Sequence, residues 1–329
     1  MSVFEGKADI PVDRALIGEN TENPLRQGKE IIVHDLKTTK AGITPSRITR
    51  QFGSSQSDAR RVPSCSCRRE RRVMPEVSSR PGRVKEFISD NQREDDMTST
   101  PVVVVTGANR GIGFEICRQL ANRGAQVVLT ARKREAGEAA VKKLATQNLT
   151  VQFQPLDVTS EKSIIALREF LKRTYGRLNV LINNAGIIAK GDAPGLEVDM
   201  ETVRVTLETN ALGPLHLSQC LVSLLQSSKP ARIVNISSGM GALSEMEGDY
   251  AAYRISKTAL NAVTAILAAE LRNRIAVNAA CPGWVKTDMG GRNADRDVAQ
   301  GADTPVWLAL DAPQRLTGKF VRDRKVIPW

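Results

Sequence analysis

Short apolar runs recur from residue 101 onward: VVVVT at 102–106, QVVLTA at 126–131, VQFQPL at 151–156, NVLINN at 179–184, RIVNIS at 232–237 and IAVNAA at 275–280. Between them lie segments with apolar residues at helical spacing, such as Ile112, Ile116 and Leu120, or Ile164, Leu167 and Leu171. Runs that stay apolar without alternation predict strands buried on both faces. Strands that alternate with helices predict a parallel sheet covered on both sides. The pattern therefore predicts an α/β domain over 98–329, built as a doubly wound parallel sheet.

Residues 1–97 carry little sustained periodicity and are rich in Arg, Ser, Pro and acidic side chains. Such a segment has little apolar surface to offset the entropy of ordering, so it is expected to be a mostly disordered extension. GKEIIVHDL at 28–36 has the look of an isolated strand, but a strand needs a partner. Glu5, Asp9, Asp13, Glu19 and Glu22 argue against a transit peptide, and no apolar stretch suits a secretory signal. Met97 opens MTSTPVVVVTG, a natural beginning for the folded domain. The residues before it read as a dispensable extension or as an upstream start assignment.

Composition removes several function classes. The 329 residues are 41% hydrophobic, yet no apolar run approaches the roughly 18 to 20 residues of a membrane span. A net charge of +11 invites a polyanion partner, and part of it sits in the Arg-rich stretch 60–83. Base readout needs a docking element or aromatic platforms, and aromatics are 4% of the chain, so specific nucleic-acid binding is not expected. Cys65, Cys67, Cys117, Cys220 and Cys281 are odd in number and scattered, which suggests a reducing, cytoplasmic setting rather than a disulfide framework. His34 and His216 are the only histidines. A Ser-His-Asp triad or a His-rich metal site has almost nothing to work with, and no metal site is expected.

The candidate chemistry begins at the turn after the first strand. Gly107, Gly111 and Gly113 stand between that strand and the following helix. In an open α/β sheet this is the crevice where ligands bind, and the helix points its unpaired N–H groups into it. Lacking a Cβ, glycine permits both the tight turn and the close approach of a phosphate. The turn is read as a pyrophosphate cradle, with a T-G-x-x-x-G-x-G spacing distinct from G-x-G-x-x-G.

TGANRGIG at 106–113, NNAG at 183–186, VNISS at 234–238, YRISK at 253–257 and CPGWVKTDM at 281–289 occur in that order. Together they resemble the short-chain dehydrogenase/reductase family over residues 101 to about 321, and PGWVKTDM with GADTPVWLA at 301–309 resembles its NADPH-dependent carbonyl reductase branch. The resemblance implies a Rossmann-like sheet of about seven strands.

The residues themselves support a hydride-transfer site. Tyr253 and Lys257 are four apart and share a helical face. The preceding strand ends in Ser237 and Ser238, so polar groups converge on the crevice. Hydride delivery to an aldehyde or ketone leaves negative charge on oxygen, which must be hydrogen-bonded and then protonated. A free tyrosine is a sluggish acid at neutral pH, and a neighbouring ammonium lowers its pKa. Tyr253 is assigned as general acid, with Lys257 tuning it. The resemblance implies that Lys257 also holds the nicotinamide ribose, that Ser238 rather than Ser237 bonds the substrate oxygen, and that Asn210 holds a proton-relay water. Without the family, Asn210 is simply a polar helical residue.

Cofactor choice follows from charge at the end of the second strand. NAD enzymes commonly place an acid there, whereas VVLTARKR has none and sets Arg132 in its place, with Arg110 in the glycine turn as a second cation. NADPH/NADP+ is the expected cofactor. By resemblance, Asn109 and Ile112 join the glycine turn in binding it, Asp157 and Val158 lie at the adenine, and Asn184 with Gly186 lies beside the adenosine ribose, while Asn183 braces the central strands. Pro282, Gly283, Val285 and Thr287 resemble the loop that cups the nicotinamide.

The segment 287–302 is short, glycine-containing and polar, and it predicts an open pocket for bulky aldehydes, ketones or quinones, with Met240 and Leu243 as candidate apolar walls. Two other readings compete with an NADPH-dependent reductase. One is a redox-sensing module that binds NADP(H) without turnover, and the other is an NAD-dependent alcohol dehydrogenase.

Overall fold

A computed structural model describes residues 100–329. The expected extension over 1–97, including the possible strand at 28–36, lies outside the described residues.

Among the described residues, eight strands form one sheet in the order β3-β2-β1-β4-β5-β6-β7-β8. They are β1 (Val102–Val105), β2 (Gln126–Ala131), β3 (Val151–Pro155), β4 (Val180–Asn183), β5 (Ala231–Ile236), β6 (Ile275–Ala280), β7 (Lys319–Arg322) and β8 (Lys325–Ile327). The first seven are mutually parallel, and the apolar runs predict six of them, β1 to β6. β8 is an addition to the expected seven. It turns back through Asp323 and Arg324, both with positive φ, and pairs antiparallel to β7. Its three residues are too few to carry a periodic signal.

The four valines of β1 show how the layers arise. Successive side chains of a strand point to opposite faces. Val103 and Val105 pack with Ile116, Leu120 and Leu144, whereas Val102 and Val104 pack with Ile164, Leu167 and Leu171. Helices α1 (Gly111–Asn122), α2 (Arg134–Ala145) and α7 (Val298–Leu310) cover the first face. Helices α3 (Glu161–Thr174), α5 (Gly213–Gln226) and α6 (Ala251–Glu270) cover the second. All four valines are at most 1% exposed, which is why this strand has no polar alternation.

Between α4 (Met200–Leu207) and α5 the backbone passes through a π-helical turn, Glu208–Leu212. Such turns gather at functional sites because the wider ring re-aims side chains. Here it carries Asn210.

Candidate active site

The glycine turn sits where the pattern puts it. Gly107 and Gly111 have φ of +61° and +58°, a region that side chains with a Cβ rarely enter. At Gly107 a Cβ would also stand 2.9 Å from the Ala185 Cα, so the turn packs against the end of β4. Asn184 fixes it from that side, donating from Nδ2 to the carbonyls of Thr106 (2.8 Å) and Gly107 (3.1 Å). Arg110, at the N-cap of α1, gives no side-chain cap, and the first turn has no acidic residue. Its N–H groups and positive dipole end are therefore open to an anion.

A cleft of about 480 Å³ runs from this turn across the C-terminal ends of the strands. It is lined by Gly107, Asn109, Arg110, Gly111, Ile112 and Gly113, and on from there by Arg132, Asp157 and Val158. Asn184, Gly186, Tyr253, Lys257, Pro282 and Thr287 complete the wall. Fifteen candidate positions scattered over the sequence thus meet in one groove. Gly283 and Val285 differ from expectation: they line an adjoining recess instead. Val285 is 3% exposed and packs against Gly301, so its side chain turns away from the cleft. Arg132 is exposed on the cleft wall, whereas Arg110 pairs with Asp288 at 2.6 Å, a solvent-exposed contact of little energy.

The adjoining recess, about 600 Å³, is lined by Ser238, Met240, Tyr250, Tyr253, Trp284 and Met289, among others. Met240 is on its wall as expected. Leu243 is not: it is 68% exposed on the short helical turn Leu243–Glu245, directed away from the recess. Trp284 and Met289 are walls that sequence reasoning missed, because single apolar residues in an irregular loop carry no period.

Tyr253 lines both hollows. Its helix, α6, begins with Tyr250 in the left-handed region (φ 48°, ψ 44°) and no side-chain cap of its own. Asp192 supplies the cap from a distance. Its two carboxylate oxygens accept from the backbone N–H groups of Ala252 and Tyr253, both at 2.9 Å, and the Ala193 carbonyl accepts from Ala251 at 3.0 Å. Sequence reasoning missed Asp192, since a cap sixty positions away leaves no local signature.

Of the two serines, Ser237 is buried and its hydroxyl bonds Asn261 Oδ1 at 2.6 Å. Ser238 accepts from the Met240 N–H at 3.2 Å, and its hydroxyl acts to lower the Tyr253 phenol. Burial pushes the Tyr253 phenol up to about 12, against the Ser238 hydrogen bond, with Cys281 adding to the rise. Burial likewise brings Lys257 down to about 8, with Cys281 opposing. The expected lowering of the phenol by the ammonium is not what these surroundings produce: burial is the largest cause of the Tyr253 shift, and it acts upward. Lys257 Nζ lies 5.5 Å from the ring centroid and donates to the Ile236 carbonyl at 2.8 Å.

Asn210 is fully buried and lines neither hollow. Its Nδ2 donates to the Ile187 carbonyl (2.8 Å) and to Ser256 Oγ (2.9 Å), and its Oδ1 accepts from the Ile187 N–H (2.8 Å). It ties the loop after β4 to α6. Asn183 braces strands, donating to Asn235 Oδ1 at 2.8 Å. Among the described residues, no group of His, Cys, Asp and Glu is placed to hold a metal.

The geometry fits a nucleotide with a pyrophosphate: an uncapped helix end, a Cβ-free turn, an exposed arginine and a long polar groove. Comparison with known proteins agrees. The family model for short chain dehydrogenase matches residues 101–297. The chain is 40% identical over 277 residues to carbonyl reductase (NADPH) 3 of Rattus norvegicus, covering 69% of this chain and 98% of that one. It is 36% identical over 280 residues to carbonyl reductase (NADPH) 1 of Mus musculus, covering 70% and 99%. The crystal structure of NADPH-bound carbonyl reductase from chicken fatty liver superposes with a TM-score of 0.64 at 31% identity, over 70% of this chain and 99% of that one. The chain belongs to the short-chain dehydrogenase family.

Proposed function

We propose that the protein is an NADPH-dependent carbonyl reductase that converts aldehydes, ketones or quinones to alcohols, with residues 98–329 as its catalytic domain. The observation that carries this reading is the place of Tyr253, at the seam between the nucleotide-sized cleft and the recess beside it. The bound nicotinamide supplies the hydride.

The chain supplies position and a proton. The α1 N-terminus and the glycine turn hold the pyrophosphate, and Arg132 meets the 2′-phosphate, with Arg110 joining once released from Asp288. Asp157 and Val158 border the adenine, Asn184 and Gly186 the adenosine ribose, and Pro282 with Thr287 the nicotinamide. Ser238 bonds the substrate carbonyl oxygen, and Tyr253 donates its proton there as charge develops. A phenol pushed up to about 12 is protonated throughout the neutral range, which suits proton donation. Lys257 would hold the nicotinamide ribose, and its ammonium supports replacement of the proton that Tyr253 gives up. Asn210 acts as a positioning residue, and a relay water contacts the acceptor capacity its amide leaves unused.

A cytoplasmic setting belongs to the same reading. It rests on the free thiols of Cys117, Cys220 and Cys281 and on the lack, among the described residues, of a helix long and apolar enough to cross a membrane.

Initial rates with NADPH and NADH over aromatic aldehydes, quinones and aliphatic ketones test the reading. NADPH-dependent turnover supports it. Tight NADPH binding without turnover favours the redox-sensing module, and a preference for NADH favours an NAD-dependent dehydrogenase.

A further inference from the structure

We infer that the recess beside Tyr253 selects carbonyl compounds that also carry a carboxylate, and that Arg322 is the residue that reads it. The inference rests on the carbonyl reductase reading and narrows its substrate class.

Among the described residues, Arg322 is the only charged side chain lining the recess; the rest of the wall is apolar, aromatic or uncharged, with Met240, Tyr250, Trp284 and Met289 prominent. It is the last residue of β7. Its neighbour Val321 accepts a hydrogen bond from the Cys281 N–H at 2.8 Å, so the strand end is fastened to the loop that closes the site. The β8 hairpin, in which Arg322 pairs with Lys325, holds it from the other side. The side chain is 31% exposed, neither free in solvent nor shut in the core.

Its hydrogen-bonding capacity is mostly unspent. Nε donates to Cys281 Sγ at 3.3 Å, a weak acceptor. The nearest carboxylate oxygen, Glu245 Oε2, is 3.8 Å from Nη2, well beyond the ~2.7–2.9 Å of a charge-assisted hydrogen bond, and that glutamate is 60% exposed. An exposed, long pairing of this kind holds little energy and yields to a better ligand. No other hydrogen bond of the guanidinium occurs among the described residues. The fork therefore keeps N–H groups for a planar, bidentate acceptor, the geometry that a carboxylate offers.

Its position ties it to the reaction. A Cβ on Gly239 would stand 2.7 Å from Nη2, so the guanidinium lies against the backbone of the residue that follows Ser238. A substrate whose carbonyl reaches Ser238 and Tyr253 passes this cation, and its apolar body meets Trp284 and Met289. An oxo acid or a carboxylated aromatic aldehyde has both parts.

The test compares 2-, 3- and 4-carboxybenzaldehyde with their methyl esters, using the full chain and NADPH. At least one acid is expected to exceed its ester in kcat/KM by about tenfold or more, mainly through KM, since the contact is made before and during hydride transfer alike. Arg322→Met is expected to collapse that acid-to-ester ratio, and Arg322→Lys to restore part of it. Glu245→Gln is expected to raise the ratio by removing the competing carboxylate, and added salt to lower it. Melting curves verify that the variants fold, and Glu245→Gln tests the contact without touching the arginine. Equal rates for acids and esters, or a preference that survives in Arg322→Met, overturn the inference alone. No turnover of any aldehyde overturns the reductase reading and this inference with it.

Discussion

The Asp192 carboxylate accepts a hydrogen bond from the backbone N–H of Tyr253 at 2.9 Å, across sixty-one positions of sequence. With its bond to Ala252 it caps a helix that has no cap of its own and begins in a left-handed residue. Losing a cap costs about 1–2 kcal/mol. Asp192→Ala is expected to lower the melting temperature accordingly and to reduce kcat by roughly tenfold or more through displacement of the tyrosine, as small misplacements do. Asp192→Asn, which keeps an acceptor, is expected to fall between. Melting curves and initial rates on the same preparations check both effects.

Burial of Lys257 links stability to pH. Its folded pKa of about 8 lies below the ordinary 10.5. Between those values the unfolded chain binds more protons than the folded one, so stability rises as pH increases from about 8 towards 10.5. Below pH 8 the full cost is present, on the order of 3 kcal/mol. Tyr253 acts in the opposite sense above pH 10, where the unfolded chain ionises first. Denaturant titrations of the ligand-free protein at pH 7 and pH 9.5 are expected to show the gain, and Lys257→Met is expected to remove it.

Gly186 separates two buried polar groups. A Cβ there would stand 3.3 Å from Asn210 Oδ1 and 3.4 Å from Lys257 Nζ. Gly186→Ala is expected to shift one or both, lowering kcat by about tenfold with little change in helix content. Kinetics alongside circular dichroism separate this outcome from unfolding.

Arg132 is an exposed cation of the nucleotide cleft, as are Arg110 and Lys286, and it stands at the end of β2. Charge-assisted bonds are worth about 1.5–3 kcal/mol, so Arg132→Glu is expected to cut kcat/KM for NADPH by about 10- to 100-fold and to leave NADH far less affected. Paired initial-rate series with the two cofactors measure the ratio.

What the sequence disclosed follows from how local each signal is. The valines of β1 are readable because both faces of the strand are buried, and the Tyr253–Lys257 pair because four residues make one helical turn. Asp192 and Arg322 were invisible, since each reaches the site only through folding: one as a remote cap, the other from a final hairpin whose last strand is three residues long. Leu243 is a candidate wall by its place in the loop before Tyr253, but it lies exposed on a short helical turn and does not line the recess. The choice of Ser238 over Ser237 gains a physical reason only in three dimensions, where Asn261 takes the Ser237 hydroxyl. Lys257 is expected from its spacing to tune the phenol, yet both groups are buried and desolvation is the largest cause of the shift in each.

The most direct measurement of the central claim is reduction of a carbonyl substrate by the full chain with NADPH deuterated at the reactive carbon of the nicotinamide, followed by mass analysis of the alcohol, with Tyr253→Phe in parallel. The account predicts one deuterium on the former carbonyl carbon and loss of turnover, with NADPH binding retained, in the variant. An unlabelled alcohol, or turnover that persists without the phenol, would contradict it.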